Sequence, residues 1–174
     1  MVLTSAELSK ILSKYQDDLE SHKSRESESA IFIASLGEDV ESVRPAYDYA
    51  QTQKEIFELE AKIRKIKHVL NVFNASTLIP EFNITIDEML VYMPQLSARV
   101  NKLKKMSQAM PKTRYSDGYY GRSARSSSPI IDYIYTNYDI EAVKADYAAA
   151  YDELSRAQLA LDAINHKEVL EIEI

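Results

Sequence analysis

The feature that most restricts how this chain can fold is a run of residues at alternating spacings of three and four. It starts at Tyr49 and passes through Thr52, Ile56, Leu59, Ile63, Ile66 and Leu70 to Phe73. Such steps keep one narrow stripe of an α-helix turned toward its partners, because their mean lies close to the helical repeat. Glu58 with Lys62 and Glu60 with Arg64 add i,i+4 pairs in the favourable order on the outer face. Pro45 stands where a first-turn proline would, and Asn71, Asn74 and Ser76-Thr77 mark the far end. The spacing predicts a helix over about 46–74, roughly 43 Å long at 1.5 Å per residue.

Two further seams repeat the pattern. One runs Ile86, Met89, Met93, Leu96, Val100, Leu103, opened by Thr85 and Glu88 as a capping box. Pro94 lies inside it, where a missing donor and a crowded carbonyl predict a kink or a restart. The other runs Ile140, Val143, Tyr147, Ala150, Leu154, Ala157, Leu161, Ile164, with Asp139 as N-cap. Leu8, Ile11, Leu12, Tyr15 and Leu19 form a shorter amphipathic helix opened by Thr4 and Glu7. Four helices joined by connections predict a mainly α fold, an antiparallel bundle. Short strand-like pieces surround it: Ala30–Ile33, the alternation Ile131, Tyr133, Tyr135, and the alternation Leu170, Ile172, Ile174. A small accessory antiparallel sheet or hairpin is therefore expected beside the bundle.

Composition narrows the chemistry. The 174 residues suit a single domain over 1–174 and contain no cysteine, which excludes disulfides, thiolate metal sites and thiol catalysis. Only three glycines occur, too few for a phosphate-cradling or dinucleotide loop, and no Gly-x-Ser-x-Gly is present. Metal chemistry in a bundle calls for Glu-x-x-His pairs, but Leu19, Lys65 and Ala163 stand three residues before His22, His68 and His166. No metal, cofactor or catalytic residue is expected. No apolar run approaches the roughly 18 residues of a membrane helix, and Met1-Val2-Leu3-Thr4 lacks the order of a signal peptide. A cytoplasmic protein without a membrane partner follows.

The stretch from Ser107 to Pro129 differs from the rest: two glycines, two prolines, three tyrosines and a serine-rich end predict a flexible loop. Between Arg99 and Arg125 there are eight basic residues and one acid, a charge of +7, so the remainder carries −13 of the net −6. Such a basic arm either folds onto an acidic face of its own bundle or of a neighbouring subunit, or meets an external polyanion. An acidic body repels nucleic acid at long range, which favours the first. For the second, Arg114, Tyr115, Tyr119, Tyr120, Arg122 and Arg125 interleave cations with rings on which bases could stack. Gly118 and Gly121 match the GxxG of an RNA-binding loop by coincidence, since that loop needs small or basic central residues.

Tyrosine is abundant, 12 against four phenylalanines, and is explained by core packing with hydroxyls that reach the surface, or by subunit interfaces. A polar set at helix ends, Asn71, Asn74, Thr77, Asp87, Asn137 and Asp139, is explained by capping and turns. Were those residues to converge, they would make a polar pocket without a nucleophile.

The strings HVLNVFNAST, ITIDEMLVYMPQLSARVNKL, YTNYDIEAVKADY and QLALDAIN resemble those of a family of uncharacterised bacterial proteins common in gut Firmicutes, itself distantly similar to proteins labelled septicolysin-like. The likeness runs from about Tyr47 to Ile174 and is weakest across the loop. It implies a cytoplasmic helical protein that self-associates, and it brings no activity, cofactor or site residue. The expectation is a non-enzymatic homo-oligomer that works through protein–protein interaction. A nucleic-acid- or other polyanion-binding module is the alternative.

Overall fold

The structure, a computed structural model, describes residues 1–115 and 132–173. In chain order it contains β1 (Val2–Thr4), α1 (Ser5–Ser29), α2 (Val40–Val43), α3 (Tyr49–Ser76), β2 (Leu78–Ile79), β3 (Ile84–Thr85) and α4 (Ile86–Ser107). Then follow β4 (Lys112–Arg114), β5 (Tyr133–Tyr135), α5 (Ile140–Lys167) and β6 (Val169–Glu171). The fold is mainly α with small antiparallel β pairs. Two compact units are present: residues Met1–Glu88 with Ala160–Ile174, and Met89–Leu159.

In the first unit α1 and α3 pack antiparallel. Leu8 meets Ile66 in a core closed by Ile172, and Leu3, Ile11, Leu12, Tyr15, Val69 and Leu70 pack around it. Farther along the pair, the Lys62 ammonium lies over the Tyr15 ring at 5.5 Å and Lys23 pairs with Glu60 at 3.3 Å. The α3 seam behaves as its spacing requires, with Ile56, Ile63, Ile66 and Phe73 buried. Its first member does not: Tyr49 is exposed because the helix begins there, capped by Asp48, whose carboxylate accepts from the Gln51 N–H at 3.1 Å. Pro45 therefore precedes the helix instead of opening it.

Both predicted capping boxes form. The Thr4 hydroxyl accepts from the Glu7 N–H at 3.2 Å while the Glu7 carboxylate accepts from the Thr4 N–H at 2.8 Å. Thr85 and Glu88 do the same at 3.2 and 2.7 Å. Between β2 and β3 the chain reverses through Pro80 to Asn83, which takes the left-handed conformation (φ 52°) that asparagine tolerates better than other non-glycine residues. Among the described residues of this unit one polar residue is buried: Ser5, whose hydroxyl donates to Asn165 Oδ1 at 2.8 Å and so ties the start of α1 to the end of α5.

In the second unit α4 and α5 also run antiparallel. The Tyr92 hydroxyl reaches Glu153 at 2.5 Å, and the Tyr138 hydroxyl, just before α5, donates to the Met106 carbonyl at 3.0 Å. Buried along the seams are Met89, Leu96, Val100, Val143, Ala150 and Ala157. Asp139 caps α5, accepting from the Glu141 and Ala142 N–H groups at 2.9 and 3.3 Å. Helix α4 continues through Pro94 without the expected restart.

Several other expectations are corrected. Residues Ala30–Ile33 form no strand: beyond α1 the backbone is irregular, and Ile31 and Ile33 are almost fully exposed. The expected accessory antiparallel β structure is present, divided among the described residues into three separate two-stranded pairs, β1–β6, β2–β3 and β4–β5. The β1–β6 pair joins Val2–Thr4 to Val169–Glu171, segments far apart in sequence, which no local pattern could have matched. The stretch after Ser107 is not all loop, since Lys112–Arg114 is a strand.

Candidate functional site

The most distinctive surface grows out of two short alternations. Lys112-Thr113-Arg114 and Tyr133-Ile134-Tyr135 are both i,i+2 patterns, and a strand sends such residues to one face. Antiparallel pairing sets Lys112 opposite Tyr135, Thr113 opposite Ile134 and Arg114 opposite Tyr133. Facing partners share a side, so one face collects Lys112, Arg114, Tyr133 and Tyr135, and the other Thr113 and Ile134. The ladder extends at both ends: the Tyr115 N–H donates to the Asp132 carbonyl at 2.9 Å and the Thr136 N–H to the Pro111 carbonyl at 3.1 Å. The Thr136 hydroxyl adds a bond to the Met110 carbonyl at 2.7 Å.

The Lys112 ammonium lies 4.0 Å from the Tyr133 ring centroid and 5.4 Å from that of Tyr135, a cation–π arrangement that gathers the two rings around one charge. Those rings are 6.4 Å apart. All six residues of the two strands are exposed, with Ile134 at 56% and Tyr135 at 63%. Tyr133, Tyr135, Tyr138 and Tyr151 are all exposed, so of the two explanations offered for the tyrosines burial in the core does not apply to them, whereas Tyr147 on the α5 seam is partly buried. Beside the hairpin an open cleft of about 500 Å³ is lined by Ser107, Pro111, Thr136, Tyr138, Asp139 and Lys144.

A second, smaller polar cleft of about 220 Å³ lies in the first unit between the far ends of α1 and α3. There Glu26 Oε1 accepts from the Tyr47 hydroxyl at 2.8 Å and from Gln53 Nε2 at 2.6 Å, and His22 Nδ1 stands 3.3 Å from Glu55 Oε2. Burial, and then the bond to Glu26, push the Tyr47 hydroxyl above its ordinary pKa. His22 is partly buried there. The cluster joins helices through bonds it makes within itself. His166 Nδ1 lies 2.8 Å from the Asp162 carbonyl within α5, and His68 is exposed.

Of the residues predicted to contact a polyanion, Arg114 lies on β4 and Tyr115 directly after it, both exposed. Tyr119, Tyr120, Arg122 and Arg125 lie outside the described residues. Lys112 belongs to the same basic segment as Arg114, but its company with Tyr133 and Tyr135 on one face requires a strand pairing that spacing does not specify. The polar set divides: Asn71, Asn74, Thr77 and Asp87 belong to the first unit, Asn137 and Asp139 to the second. Thr77 terminates α3, its N–H donating to the Phe73 carbonyl at 2.9 Å, while Asp139 is occupied as a cap. Among the described residues no group of three or more His, Cys, Asp or Glu could hold a metal ion, and no helix is long and apolar enough to cross a membrane.

No protein-family model matches the chain, and no curated protein matches it. A crystal structure of a functionally unknown conserved protein from Corynebacterium diphtheriae is similar, with a TM-score of 0.64 over 98% of this chain and 100% of that one. At 14% identity the likeness is one of fold. The architecture described above is therefore shared with a conserved bacterial protein whose own description names no activity.

Proposed function

We propose that this chain is a non-enzymatic, cytoplasmic interaction protein that self-associates, with the β4–β5 hairpin as a contact surface. The observation that carries this reading is the exposure of all six strand residues, three of them Tyr133, Ile134 and Tyr135. A two-stranded hairpin without a core is marginal in water, and both of its edges offer unpaired backbone groups. Aromatic and β-branched side chains held there gain most when a partner covers them. Sedimentation of the full chain at tens of micromolar tests this reading. An assembly heavier than 19.8 kDa is expected, and Tyr133→Ser with Tyr135→Ser should shift it toward the single chain. A particle that stays at 19.8 kDa across that range overturns the proposal.

One observation favours a second reading, a polyanion-binding module. Lys112 and Arg114 share their face with two tyrosine rings, the combination that holds single strands by stacking and phosphate contact. Binding of a single-stranded oligonucleotide should then fall steeply with salt and be lost in Lys112→Glu with Arg114→Glu.

A further inference from the structure

We infer that the connector between α1 and α3 is the surface that receives the β4–β5 hairpin of a second copy, in a head-to-tail contact that repeats from one copy to the next. The inference rests on the self-association proposed above and supplies its second surface.

The connector displays its aliphatic residues instead of burying them. Ile31, Ile33 and Leu36 are 85%, 92% and 108% exposed. Their exposure is not that of an unstructured chain, because the connector's polar groups are bonded locally. The Ser35 N–H donates to Glu38 Oε2 at 2.9 Å, and the Glu38 N–H returns to the Ser35 carbonyl at 3.0 Å. Gly37 makes that reversal at φ 90°, a conformation glycine adopts without strain. Asp39 accepts from the Glu41 N–H at 3.2 Å at the start of α2. The Arg44 guanidinium donates to both Glu41 oxygens, at 2.7 and 3.0 Å, while it covers the Phe32 ring at 5.4 Å. With the frame satisfied this way, three large aliphatic side chains on one short segment mark an interaction surface.

Charge identifies what covers it. Between residues 26 and 48 stand six acids (Glu26, Glu28, Glu38, Asp39, Glu41 and Asp48) and one cation, Arg44, for a net charge of −5. Anionic lipid and nucleic acid are repelled by such a surface, whereas a cationic surface with apolar area fits it. The chain carries one in the hairpin, where Lys112 and Arg114 flank the exposed Tyr133 and Tyr135 rings, preceded by Lys104 and Lys105 at the end of α4. Pairing like with like is disfavoured in either form. Hairpin against hairpin opposes the same cations, and connector against connector sets −5 against −5. Two different, complementary surfaces on one chain make a heterologous contact, which closes into a ring or continues as a filament.

Complementary charge reversal tests this. One full-length variant carries Glu38→Lys with Glu41→Lys, the other Lys112→Glu with Arg114→Glu. Each alone should associate at least about tenfold more weakly than wild type in sedimentation, since like charges then face each other across the contact. Mixed in equal amounts, the two should regain association within a few-fold of wild type, because each reversed surface meets its complement. Recovery on mixing also rules out misfolding as the cause of the loss. A connector variant that assembles like wild type, or a mixture that stays dissociated, overturns the head-to-tail contact while leaving self-association standing. A wild-type chain that never associates removes both.

Discussion

The β1–β6 and β4–β5 ladders are the same size, three residue pairs each, yet they are sustained by different physics. In the first, Leu3 opposes Leu170, and both pack on the cluster of Leu8, Ile66 and Ile172. In the second, every strand residue faces solvent, and the Lys112 ammonium lies over the two tyrosine rings. Three residue pairs do not by themselves stabilise a ladder. The first therefore belongs to the core it closes, and the second is a surface element whose rings serve contacts outside the fold. An equal count of hydrogen-bonded pairs conceals an unequal share in stability.

That contrast is sharpened most by truncation. Leu8→Ala removes a fully buried side chain that touches both α3 and the segment after β6, and should lower unfolding free energy by about 3 kcal/mol. Ile134→Ala on the exposed hairpin should change it by less than about 0.5 kcal/mol. Urea denaturation of the two variants reads the difference, and a hairpin variant as damaging as the core variant would break the comparison. A smaller effect is expected at the caps. Thr4→Ala, at the start of α1, and Thr85→Ala, at the start of α4, should each cost about 1 kcal/mol by leaving a first-turn N–H without its acceptor.

The smallest effect concerns pH. Bonds from the Thr4 N–H and hydroxyl hold the Glu7 carboxylate below its ordinary range, and Thr85 does the same for Glu88. A carboxylate whose pKa is lowered by folding stabilises the fold above its unfolded pKa, and that contribution disappears as pH falls through the folded value. Stability should thus decline on acidification through and below the ordinary carboxylate range. Glu7→Gln with Glu88→Gln should flatten that decline, as thermal unfolding at a series of acidic pH values would reveal.

Legibility in the sequence followed the range of the interactions concerned. The seams of α3, α4 and α5 were readable because helical periodicity is local, and seven of the eight α3 positions are buried or partly so. Both capping boxes were readable for the same reason, since they span three residues. The apolar run at Ala30–Ile33 misled because hydrophobicity signals burial only when some element covers it, and here Ile31 and Ile33 stay exposed while Phe32 is partly covered by Arg44. Within the candidate surface, Arg114 and Tyr115 were identified, whereas Tyr133 and Tyr135 were assigned to packing. Their company with Lys112 depends on a pairing across residues 115 to 132 that spacing does not specify.

The order of residues alone thus determined the helices, their inward stripes, their starting caps and the separation of basic from acidic segments, all of which follow from interactions a few residues long. Tertiary structure decided the rest. It joined Val2–Thr4 to Val169–Glu171 and placed two cations and two tyrosines on one exposed face. It also left the aliphatic residues of the α1–α3 connector uncovered. Each of these depends on which distant segments meet, and burial is a property of those meetings, not of any residue by itself.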